Sequence, residues 1–78
     1  MSNQDIRSAV AAEVRAAAGR AGLRQIDVSR SARISRPSMS RKWRGETSYT
    51  VDELVAIARV FDIDPGTLMP RIEARAAA

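Results

Sequence analysis

A chain of 78 residues with neither cysteine nor histidine must hold itself together with apolar side chains alone. So small a core is marginal, and many domains of this size lean on disulfides or a structural metal. Neither a disulfide nor a thiolate site is available here. The common zinc ligands and the commonest general base are also missing, so no metal, no cofactor and no enzymatic activity is expected. The length fits one domain, and its helices or strands must be well patterned or supported by a second copy.

The apolar spacing is helical throughout. Ile6, Val10 and Val14 recur at i+4, and Ala17, Ala18 and Ala21 continue the stripe, which predicts a first helix from about Gln4 to Ala21. Ser2 or Asn3 can cap its start, and Gly22 suits the left-handed residue after its end. A second helix is expected from Gln25 to Ala32, with Val28 and Ala32 facing inward. Ser35 caps a third from Arg36 to about Arg44, with Pro37 harmless in its first turn and Gly45 at its end. Thr50-Val51-Asp52-Glu53 has the form of a capping box, in which hydroxyl and carboxylate each satisfy an open amide. It opens a fourth helix to Phe61 carrying Leu54, Ile57, Ala58 and Phe61 on one face. Asp64-Pro65 opens a fifth, short helix that Pro70 ends. The expected fold is all-α, with five helices over residues 1–70 and a polar, Ala-rich tail over 71–78. No strand, repeat or heptad pattern is visible.

Charge is distributed unevenly. From Arg20 to Gly45, seven Arg and one Lys face a single acid, Asp27, a surplus of seven. Outside that window five Arg face eight acids, and the whole chain carries +4. A basic middle between acidic flanks is the pattern of a face laid against phosphates. No apolar run approaches the ~20 residues of a membrane helix. The opening residues lack the basic and apolar regions of a secretory signal. Asp5 and Glu13 speak against a transit peptide, so a cytoplasmic location and no membrane partner are expected.

The segment Leu23 to Gly45 reads as helix, tight turn, helix. Two short helices joined this way can place the second in a DNA major groove, where base edges differ in their donor and acceptor pattern. Here the chain resembles the Cro and lambda-repressor-type helix-turn-helix family, itself a standard example of this docking mode. The matching features are Leu23-x-Gln25, the small Ser29, Ile34-Ser35-Arg36 and Ser40-Arg41-x-x-Arg44-Gly45. Val51-Asp52-Glu53-Leu54 through Phe61-Asp62-Ile63-Asp64-Pro65 extends the likeness to about residues 8–69.

The resemblance implies a lambda-repressor-like domain that reads DNA with its third helix. By position, Arg36, Ser38, Ser40 and Arg41 are its base contacts. Gln25 meets a phosphate at the start of the second helix, and Arg24, Lys42, Arg44 and the loop residues Thr47, Ser48 and Tyr49 grip the neighbouring backbone. Two positions depart from the family. Arg33 stands where Gly is common, which costs about 1 kcal/mol if that residue takes a positive φ. Lys42-Trp43 replaces an apolar-then-acidic pair, so Trp43 is expected to supply the inward contact. Trp43 and Tyr49 could also serve as stacking platforms for single strands, although an inward aromatic is more often core. The five serines between Ser29 and Ser40 have no histidine to activate them.

These features predict a sequence-specific double-stranded DNA-binding repressor of the phage Cro kind, acting on a palindromic or pseudo-palindromic operator. One short helix reads too few base pairs to single out a site, so a homodimer is expected, at least on DNA. Leu68, Met69 and Ile72 are its candidate contacts, with Leu68 equally able to close the core. The alternatives are an antitoxin that also represses its own promoter, and a purely structural helical bundle.

Overall fold

The computed structural model describes residues 2–70. Along them run α1 (Asn3–Ala21), α2 (Gln25–Ala32), α3 (Arg36–Trp43) and α4 (Val51–Phe61), followed by a 3₁₀ turn, Pro65–Leu68; no strand occurs among the described residues. The ends fall where the sequence signals them. Ser2 accepts from the Asp5 amide at 3.1 Å, while Asp5 accepts from the Ser2 amide at 3.2 Å. Thr50 and Glu53 repeat the arrangement at 3.0 and 2.8 Å. Gly22, at φ 71°, ends α1 and lets the Leu23 amide reach back to the Ala18 carbonyl at 2.9 Å.

The expected fifth helix is instead this one 3₁₀ turn. Pro65 brings no amide, and Asp64 Oδ1 takes the Gly66 amide at 2.7 Å. The next amides close i→i+3 rings, Thr67 to Asp64 and Met69 to Gly66. With Gly66 inside and Pro70 beyond, too few good helix formers remain to nucleate an α-helix.

Val10, Val14, Ala17 and Ala18 of α1 line one side of the core. Val28, Ile34, Met39, Leu54, Ile57, Ala58 and Leu68 fill the rest. Helix α1 packs on α3, on α4 and on the 3₁₀ turn, while α2 packs on α3 and α4. Met39 is completely enclosed and fixes α3 to this core. Leu68, expected at a dimer contact, is 1% exposed and closes the core beneath α1, which leaves it no surface to offer a second copy. Ile72 and the tail lie outside the described residues.

Gly45 decides how closely α3 approaches α1. Its φ is +80°, and a Cβ there would stand 3.2 Å from Ser8 Cα and 3.5 Å from the Arg7 carbonyl oxygen. Both neighbours are backbone and cannot swing aside. Gly45→Ala should therefore destabilise the protein by about 1–3 kcal/mol, combining a left-handed penalty with displaced packing. A thermal melt unchanged by this substitution would contradict the close packing of α1 against the end of α3.

Candidate nucleic-acid interface

The geometry of α3 begins at the turn before it. Arg33 ends α2 in the left-handed region, φ 59° and ψ 43°. Its amide bonds the Arg30 carbonyl at 3.3 Å, and the next amide, Ile34, bonds the Ser29 carbonyl at 3.0 Å. The buried Ser29 hydroxyl returns the contact by donating to the Ile34 carbonyl at 2.6 Å. A small residue is required at 29 because the turn folds directly over it. Ser35 then caps α3, accepting from the Ser38 amide at 3.4 Å.

The other end of α3 is held by a contact that no sequence signal announces. The Arg15 guanidinium, from α1, donates to the Trp43 carbonyl at 2.7 Å. A cation on a terminal carbonyl satisfies an open acceptor and complements the helix dipole.

Between these ends, each residue turns about 100° around the axis. Met39, Trp43 and Lys42 fall on the inward arc, and Pro37, Ser40, Arg41 and Arg44 on the outward one, with Arg36 and Ser38 at its edges. Burial agrees: Met39 is enclosed, Trp43 packs half-buried against the core, and Arg36, Pro37, Arg41 and Arg44 are exposed. The structure thus brings Arg36, Ser40 and Arg41 onto one face. It adds Pro37, whose place in the first turn marks it in the sequence only as a helix-start residue. Ser40 does not stand free, because its hydroxyl accepts from Arg44. Arg44 is clasped in turn by Glu46, with Nε–Oε2 at 2.6 Å and Nη2–Oε1 at 3.3 Å. This hydrogen bond holds the Glu46 carboxyl below its ordinary pKa.

The expected backbone contacts divide into accessible and engaged. Gln25 is the first residue of α2, and Thr47 and Ser48 lie exposed in the loop between α3 and α4. Arg24 is tied to Asp27 at 3.2 Å, yet its side chain remains 79% exposed. Lys42 is different. Its ammonium donates to Glu53 Oε2 at 2.6 Å, and its side chain is only 12% exposed. The aliphatic stem lies on the inward arc and the charge already has a carboxylate, so Lys42 acts as a tie between α3 and α4 and not as a phosphate grip. Tyr49 packs against the core, and its hydroxyl is buried without a hydrogen-bond partner. Burial raises the phenol pKa, so the ring adds no charge.

A family model for Cro/C1-type helix-turn-helix DNA-binding domains matches residues 14–74, most of the chain and all of the α2–turn–α3 unit. The chain belongs to this family. No curated protein and no solved structure matches it significantly. As a Cro/C1-type domain the protein binds DNA. No helix among the described residues is long and apolar enough to cross a membrane.

The Lys42–Glu53 tie gives this Cro/C1-type domain a pH signature. Burial pushes the Glu53 pKa up, but Lys42 and the Thr50 amide outweigh it, and the net shift is downward from 4.5. A depressed carboxylate contributes stability above its unfolded pKa and loses it as pH falls through the folded one. Stability should therefore drop below about pH 4.5, the region of an unperturbed Glu, and Glu53→Gln should flatten part of that drop while lowering stability at pH 7. Acid titrations of wild type and variant with superimposable slopes would show that Glu53 is uncoupled from folding.

Proposed function

We propose that the protein is a transcriptional repressor of the Cro kind, acting in the cytoplasm, which occupies an operator by inserting α3 into the major groove. The observation that carries this reading is the outward arc of α3. It presents exposed Arg36 and Arg41 around Ser40 while Met39 anchors the opposite face. Arg41 is assigned to guanine, whose two acceptors match a guanidinium fork; Arg36 and Ser38 read at the edges of the same face, and Ser40 beside Arg44. Gln25, Arg24, Arg44, Thr47 and Ser48 are assigned to the backbone. For Arg44 this means exchanging or sharing Glu46, a small cost because exposed ion pairs contribute only about 0–1 kcal/mol. No observation favours the antitoxin reading over this one.

Binding is then a counterion-release process. With about five or six phosphates met per dimer, log affinity should fall with log salt at a slope near −5. Arg41→Ala should lose about 1–3 kcal/mol on the operator and little on scrambled DNA, while Arg44→Ala should weaken both alike. Equal losses for Arg41→Ala on the two duplexes would contradict its assignment, and a flat salt titration would remove the DNA reading altogether.

The dimer belongs to the same proposal. Val51 and Met69, 76% and 47% exposed, are the exposed large hydrophobics among the described residues. Both line one groove of about 190 Å³ with Ile6, Val10 and Leu54, beside the unpartnered Tyr49 hydroxyl and Arg7 Nε. A second copy docked here covers that apolar surface. So small a patch makes the free dimer weak, with DNA completing it. Met69→Asp should abolish the two-to-one complex on a palindromic duplex in sedimentation. A two-to-one complex retained by the variant would move the interface elsewhere.

A further inference from the structure

A second hollow lies beside the outward arc of α3. It encloses about 420 Å³, opens at the α2–α3 turn, and is lined by Ile26, Arg30, Arg33, Ile34 and Arg36 with Ser29 and Ser35. All three arginines are exposed, and among the described residues none lies within ion-pair distance of a carboxylate. Three other cations of the basic window are paired, Arg24 with Asp27, Lys42 with Glu53 and Arg44 with Glu46, while Arg20 and Arg41 stand apart from the hollow.

Folding does not account for this cluster. Like charges around one hollow repel each other, and Arg33 stands at φ 59°, where glycine is the better residue. A bound anion accounts for both, because guanidinium forks match phosphate oxygens in pairs.

We infer that the hollow at the α2–α3 turn seats a backbone phosphate flanking the half-site, held by Arg30 and Arg33 with Arg36 at its rim. This assignment rests on the reading of α3 as the helix that enters the groove. Arg36 is shared between that helix's first turn and the hollow, so docking α3 carries the hollow to the edge of the same groove. DNA is therefore the polyanion that meets it, ahead of an acidic protein surface. The contact lies outside the bases that Arg41 reads, so it extends the footprint without adding sequence preference.

The test uses R33G and the double variant R30A/R33G on duplexes carrying the operator with long or trimmed flanks. Glycine keeps the left-handed turn, so R33G should melt above wild type. It should nevertheless bind every long duplex several-fold more weakly, with the salt slope shallower by about 1, and the double variant by about 2. Trimming the flanks should weaken wild type and leave the double variant nearly unaffected. Wild-type affinity and slope in R30A/R33G would overturn the phosphate seat alone and give the hollow to an acidic protein partner. A loss confined to the operator would overturn it too, by making these arginines base readers. Failure of wild type to bind any duplex would overturn this inference together with the reading beneath it.

Discussion

The Ser29 hydroxyl, bonded at 2.6 Å to the Ile34 carbonyl inside the protein, holds the corner on which the interface depends. With the two amide bonds that close α2, it fixes the angle between α2 and α3 at one residue in left-handed conformation. Were that carbonyl left unpaired in a buried place, about 1–3 kcal/mol would be lost, a large share of what so small a domain has. Met39 below and Arg15 at the far end then set α3's depth and direction. The outward arc is thus presented by three separate restraints from within the protein. On the proposed reading, a helix held this way meets base edges without first having to be ordered, which keeps the entropic cost of binding low.

Charge is arranged around the same corner. Asp5, Asp27, Glu46 and Glu53 each accept hydrogen bonds that lower their pKa, and two of them sit in capping boxes. Acids therefore neutralise the helix starts and tie down Lys42, Arg24 and Arg44. Arg30, Arg33, Arg36 and Arg41 are left without such partners among the described residues. The uncompensated field is concentrated where α2 meets α3, and at physiological salt it reaches about 8 Å into solvent. On the proposed reading, attraction by that field acts before any base is read, with Arg36 and Arg41 serving both steps and Arg30 and Arg33 only the first.

Much of this was legible in the sequence because helices announce their own ends. Ser2, Gly22, Ser35, Gly45 and the Thr50–Glu53 box each act within four residues of themselves, and each boundary lies where these local rules put it. The outward placement of Arg36 and Arg41 followed from periodicity alone. What was not legible depends on partners far along the chain. Nothing near Lys42 indicates Glu53, eleven residues on, so a cation on the inward arc looked like a phosphate contact. Arg15 lies twenty-eight residues from the carbonyl it caps. The last segment failed for another reason: Pro65, Gly66 and Pro70 bound too short a stretch to carry an α-helix, although its apolar residue Leu68 is core.

In the proposed function, α3 reads duplex DNA as one half of a two-fold assembly. Selection from random double-stranded DNA, read out by sequencing, tests it without assuming an operator. The expected result is enrichment of a two-fold-symmetric motif whose half-site centres lie about 34 Å apart, one helical turn. Retained duplexes with no common motif, or a single unrepeated half-site, would contradict it.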